Sequence, residues 1–291
     1  MGHLTYPEHN EQARPSMLQR VDGAVRLGVA VGADGISRVR DLYQRAPCRL
    51  LFPLADAGEP LHAVLLTTSG GLTGGDRISA TVDVGAGAGA QLVTQAAEKL
   101  YRALPGDAPT RVGVNMHLEH DAWAEWLAQE TILFDGARLR RGFHAHLAPG
   151  ARLLALESIV FGRTAMGESF RHGLLHDEWR VRRDGRLVWA DTLRLEGDMA
   201  AVRARPWGIG SAIACATLLY AGDDAAALLE PVRNTLTDVP GAGVTLIQDL
   251  LITRLWSDDA SQLRTRVTAL AGLVRSAAAG HAVQLPRVWH C

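Results

Sequence analysis

The stretch from Thr67 to Arg102, TTSGGLTGGDRISATVDVGAGAGAQLVTQAAEKLYR, constrains the fold more than any other part of the chain. At its centre Ile78, Ala80, Val82 and Val84 alternate with Ser79, Thr81 and Asp83. That period belongs to a strand with one buried and one wet face. Glycine-rich segments flank it. Gly70-Gly71-Leu72-Thr73-Gly74-Gly75-Asp76 comes before it, and Gly85, Gly87 and Gly89 follow. Such segments mark backbone that turns sharply or approaches another segment closely. Neither is a phosphate loop. Asp76 and Arg77 occupy the lysine and hydroxyl positions of the phosphate-binding motif, and an aspartate there repels phosphate. The second run lacks dinucleotide-fingerprint spacing and leads into the strand-like Gln91-Leu92-Val93-Thr94.

The same alternation recurs downstream. Val112, Val114, Met116 and Leu118 interleave with Asn115, His117 and Glu119, and Phe143, Ala145 and Leu147 with His144 and His146. Val21 to Ile36, broken by glycines, reads as short strands and turns; Cys48–Leu54 and His62–Leu66 read as further strands. Asp135-Gly136, Pro149-Gly150 and Asp184-Gly185 are turn signals between strands. Toward the C-terminus the pattern changes. Asp223 or Asp224 caps a predicted short helix ended or bent by Pro231. Val244, Ile247, Leu251 and Leu255 fall on one face of a predicted helix. Ser257-Asp258-Asp259 opens another, with Leu263, Val267, Leu270 and Val274 on one side and Gly280 as its C-cap. The fold class is therefore mainly β with a small C-terminal helical region. The organisation expected is a flexible segment 1–16, then one domain over 17–291. That domain is β-rich over 17–222, helical over about 223–280 and extended over 281–291.

A formal charge of −1 on 291 residues excludes the basic footprint of a nucleic-acid binder. The three cysteines, Cys48, Cys215 and Cys291, are odd in number and widely spaced, which points to a reducing compartment without a disulfide framework. No apolar run reads as a signal peptide or a membrane span, so a cytoplasmic protein without membrane partners is expected.

Candidate chemistry is sparse. His144 and His146 share the polar face of one strand, a fair geometry for two metal ligands, but the ligand set is incomplete. No nucleophile elbow or reactive cysteine setting is present. Lys99 is the sole lysine, and it reads either as a site wanting a compact ammonium or as chance retention. Acids stand inside apolar runs: Asp76, Glu98, Glu130, Asp135 and Glu157. Buried carboxylates are costly unless paired or wet. These either pair with Lys99, Arg102 and Arg163 or line a polar passage whose oxygens suit a divalent cation in transit; pairing is favoured. A metal-dependent enzyme built on His144, His146 and nearby carboxylates is the alternative function.

Five segments, in order along the chain, resemble one family. They are G-G-L-T-G-G-D (70–76), T-Q-A-A-E-K-L-Y-R (94–102), W-L-A-Q-E-T-I-L-F-D-G-A (126–137), E-S-I-V-F-G-R (157–163) and L-P-R-V-W (285–289). Together they are similar to the urease accessory protein UreD (UreH) family, with Ala128 standing where proline is expected. The resemblance implies many β-strands in a layered, helical arrangement and a non-enzymatic scaffold in nickel insertion. It implies apo-urease, UreF and the GTPase UreG as partners, with nickel passing through without a stably bound cofactor. On that reading Asp76, Glu98, Lys99, Glu130, Asp135 and Glu157 are candidates for a nickel tunnel. Gly70, Gly71, Gly74 and Gly75 form a structural motif, and Val244, Ile247, Leu251 and Leu255 are the candidate UreF contact.

Overall fold

The computed structural model describes residues 20–205 and 208–290; the N-terminal segment expected to be flexible, like Cys291, lies outside them. The chain opens with β1 (Asp22–Val31), β2 (Ser37–Arg45), β3 (Cys48–Leu51) and β4 (Leu61–Thr67). It then winds in coils that visit two sheets in turn. β5 (Arg77–Val84) lies in the first sheet, β6 (Gly89–Thr94) in the second, and the short β7 (Glu98–Leu100) at a corner. The next coil repeats this with β8 (Thr110–Leu118), β9 (Trp123–Leu127) and β10 (Thr131–Leu133). The last comprises β11 (Arg138–Leu147) and β12 (Arg152–Phe161), followed by β13 (His172–Arg183). Within each sheet these strands run parallel: β1, β5, β8, β11 and β13 in the first, β4, β6, β9 and β12 in the second. Antiparallel strands finish the edges. β14 (Arg186–Asp198) pairs with β13 across the Asp184-Gly185 turn, and a short α1 (Met199–Arg203) follows it. β15 (Ala214–Ala221) pairs with β12. The expected layered, helical β arrangement is what the chain adopts.

Two apolar layers hold these parts together. The inward rows of both sheets, including Ile78, Ala80 and Val82 of β5 and Leu153 and Ala155 of β12, form one core between the sheets. The outer face of the second sheet forms another, against α2 (Ala225–Thr235) and α3 (Ala260–Ala279). This explains the sequence pattern. First-sheet strands alternate because one face is wet, whereas second-sheet strands such as β9 are buried throughout because both faces are covered.

α3 forms as expected. Asp259 accepts from the Ser261 and Gln262 amides, Gly280 closes the helix with φ 70°, and Leu263, Val267, Leu270 and Val274 are all buried. Other expectations are corrected. Val21 to Ile36 holds one ten-residue strand, β1, rather than several short ones. α2 runs past Pro231 to Thr235; the proline is exposed, and Leu228 and Val232 pin the helix through their burial. Residues 244–255 are not helical. They form a hairpin, β16 (Ala242–Ile247) and β17 (Leu250–Ser257), turned at Gln248 with φ 52°. β17 sends Leu250 and Ile252 into one core and Leu251 and Leu255 into the other. A strand buried on both faces satisfies a helical spacing by accident. The tail is not a strand either: a single 3₁₀ turn at Arg287–Trp289 buries Trp289.

Candidate functional site

The glycine turn and the segment after β6 fold onto one another. The Leu72 amide donates to the Lys99 carbonyl at 2.8 Å, and the Tyr101 amide donates to the Leu72 carbonyl at 2.7 Å. A Cβ on Gly71, whose φ is 143°, would sit 2.7 Å from the Lys99 carbonyl oxygen, so only glycine fits there. Gly75 has φ 84°, and Gly74 packs against Asp107. Gly70 meets no such crowding; its carbonyl accepts from the Tyr101 hydroxyl at 2.6 Å. The four glycines are thus a structural turn, and Gly70 and Gly71 form part of the rim of a cavity.

That cavity, of about 250 Å³, lies between the sheets. Ile78 and Ala80 line it from one sheet, Thr94 and Trp126 from the other. Glu98 and Lys99 stand with it near the glycine turn. Glu98 accepts from the Thr67 hydroxyl at 3.2 Å. Burial raises the Glu98 pKa, opposed by that hydroxyl and by the Lys99 charge.

Deeper in, the wall carries charge. Arg141 and Glu157 occupy inward positions of β11 and β12 that their neighbours Leu139, Phe143, Ala155 and Ile159 fill with apolar side chains. Arg141 donates through Nε and Nη2 to Asp177 of β13, at 2.8 and 2.9 Å, and through Nη1 to the Thr131 hydroxyl. Glu157 Oε2 lies 2.6 Å from the same Nε but has no donor of its own, while Oε1 accepts from the Trp126 indole at 3.1 Å. Two buried carboxylates therefore share one guanidinium. Burial, only partly offset by Arg141 and reinforced by the Asp177 charge, pushes the Glu157 carboxyl up to about 7. The nearby Cys215 thiol is pushed up to about 12 by burial and by Asp177.

A second, smaller cavity of about 80 Å³ shares Arg141 and Glu157 with the first and adds Asp177 to its lining. It continues to Asp191 and Arg254, themselves paired at 2.6 Å, and to Trp256 of β17. Charged side chains are thus strung from Glu98 and Lys99, through Arg141, Glu157 and Asp177, to Asp191 and Arg254.

Of the acids singled out in the sequence, the structure brings only Glu98 and Glu157, with Lys99, to this cavity. The others cap structure. Asp76 accepts from the Val21 and Thr73 amides at 2.8 and 2.7 Å. Glu130 receives both its bonds from Arg264 of α3, which also holds the Trp289 carbonyl. Asp135 accepts from the Arg171 and His172 amides; against the burial that would raise it, these amides, with Arg171 and Arg102, lower its pKa. The expected pairings with Lys99 and Arg163 do not form: Arg102 pairs with Asp135, and Arg163 with Glu168. His144 and His146 do share the outer face of β11, with His144 Nε2 3.2 Å from Glu178. Among the described residues no group of three or more His, Cys, Asp or Glu side chains converges to hold a metal. Leu251 and Leu255 are buried and Val244 half-buried, which leaves Ile247, 41% exposed, as the open member of the proposed contact.

Sequence reasoning missed Arg141 and Asp177, although a signal existed. Both occupy the apolar phase of an alternating strand, Leu139-Arg141-Phe143-Ala145 and Leu175-Asp177-Trp179-Val181.

No helix among the described residues is long and apolar enough to cross a membrane. The chain is 42% identical over 284 residues to the urease accessory protein UreD of Magnetococcus marinus, covering 96% of each. It is 44% identical over 277 residues to that of Mesorhizobium japonicum, covering 94% of this chain and 96% of the relative. A family model described as "UreD urease accessory protein" matches residues 21–290, which include the glycine turn, both cavities and the helices over the second sheet, so the chain belongs to the UreD family of accessory proteins rather than to a family of enzymes.

Proposed function

We propose that this chain is a non-catalytic cytoplasmic scaffold in urease maturation and that nickel crosses its interior between the two sheets. The observation that carries the reading is the pair of cavities meeting at Arg141 and Glu157. Carboxylate oxygens are weak ligands for nickel and suit transit rather than storage. Arg141 guards the joint, because a guanidinium repels a divalent cation. Its bidentate hold on Asp177 leaves Glu157 as the oxygen donor that faces both cavities. The family resemblance supplies the rest of the assembly: apo-urease receives the metal, UreF docks on this chain, and the GTPase UreG delivers.

Nickel per active site in urease matured with each variant tests the reading. Glu157→Gln lowers nickel loading, as Glu98→Gln does to a lesser degree. Glu130→Gln, away from the cavity, leaves loading per folded molecule unchanged. Full loading with both Glu157→Gln and Glu98→Gln overturns the passage. Normally loaded urease in a host lacking this gene overturns the maturation role itself.

A further inference from the structure

The outward positions of the first sheet hold a feature that the interior passage does not use. Parallel register places Asp83 of β5, His117 of β8 and His146 of β11 side by side in one row across the sheet. Asp83 Oδ1 lies 2.8 Å from His117 Nδ1. In a neutral ring that contact places the proton on Nδ1 and turns Nε2 outward as the lone-pair nitrogen, the arrangement by which a carboxylate orients a metal-binding imidazole. The His146 ring centre is 5.1 Å from that of His117, and the His146 ring makes no hydrogen bond among the described residues. Two imidazoles that share one ion at about 2.0–2.1 Å have their ring centres roughly 5 Å apart.

We propose that His117 and His146 form an open two-imidazole site for a divalent transition-metal ion, with Asp83 as the positioning residue behind His117. Nickel, copper and zinc all accept imidazole, and water completes the coordination. Burial, with the Arg182 charge, lowers the His146 pKa. Arg182, in register beside His146, opposes a bound cation. With only two protein ligands and solvent access, the site exchanges its ion rather than storing it. This site lies on the opposite face of the sheet from the interior cavity and does not depend on the passage.

Equilibrium dialysis of the full-length chain against nickel(II) chloride alone tests it. The unaltered chain holds one equivalent more than the His117→Gln/His146→Gln variant. His120→Ala, which removes an exposed histidine three positions from His117, loses nothing. Asp83→Asn retains the site but weakens it about tenfold, the usual effect of losing an outer-shell carboxylate. Unchanged thermal unfolding of these surface variants shows that they fold. Glu157→Gln keeps the extra equivalent even where it impairs delivery to urease, so the two proposals fail separately. Identical nickel stoichiometry and affinity in the unaltered chain and the double variant overturn the site, as does equal affinity in Asp83→Asn.

Discussion

Arg141 is outnumbered by the two buried carboxylates it serves, and that imbalance governs the energetics of the site. Replacing it by methionine leaves Asp177 and Glu157 facing each other without a cation, at a cost of about 3–5 kcal/mol. Urea unfolding measures this; a loss under 1 kcal/mol would mean that the carboxylates find other partners. Glu157→Gln is milder, because the amide oxygen still accepts from Trp126 while the surplus charge disappears. The folded-state pKa of Glu157, about 7, exceeds its ordinary value of 4.5, so between those limits the folded chain binds more protons than the unfolded one. Stability from this group is therefore complete at acid pH and falls as pH rises through 7, by at most roughly 3 kcal/mol. Unfolding free energies at pH 5 and 8 check the sign: the unaltered chain declines between them from this group, and Glu157→Gln flattens that decline. Asp76 differs in kind. Its carboxylate satisfies two amides and lines neither of the two cavities, so Asp76→Ala costs about 2–4 kcal/mol of stability without changing nickel delivery per folded molecule.

The β16–β17 hairpin carries the proposed UreF contact. Ile247 is exposed at its tip, whereas Leu251 is buried against the helices. Ile247→Asp therefore folds normally and weakens capture of UreF, while Leu251→Asp puts a carboxylate in the second core and unfolds the element. Co-purification of UreF, with circular dichroism of each variant, separates these effects; full capture by Ile247→Asp moves the contact elsewhere. The same hairpin shows what the sequence could and could not reveal. β5 and β8 were legible because one face is wet, and α3 because Asp259 and Gly280 cap it and four apolar residues share its inner face. β17 was not legible, because a doubly buried strand carries no period of its own. Glu157 stood out as an acid within an apolar run. Asp76, Glu130 and Asp135 stood out equally, yet only folding reveals that amides and Arg264 claim them. The partnership of Arg141 with Asp177 comes from parallel register between β11 and β13, a pairing 36 positions apart that no local pattern encodes.

Winding between two sheets gives the molecule an interior that belongs to every coil and a second, separate core under the helices. The two layers have different duties. The helices and the outer face of the second sheet bury apolar surface without a cavity role, while the space between the sheets mixes close packing with polar voids. If nickel uses that space, filling it must stop delivery without disturbing any outer surface. Ala80 points inward from β5 and lines the cavity, as does Ala128 just after β9. Ala80→Leu adds three carbons into a void of about 250 Å³. It can gain roughly 0.8 kcal/mol per methylene buried where the void accepts them, or lose about 1–3 kcal/mol where they overpack. Either way the expectation is a folded protein with its outer surfaces unaltered. Urease co-purifying with Ala80→Leu or Ala128→Leu should carry the usual amount of this chain but markedly less nickel. Normal nickel content in urease matured by both variants, each shown to be folded, would place the route of the metal outside the sheets and leave Arg141, Glu157 and Asp177 as a structural cluster.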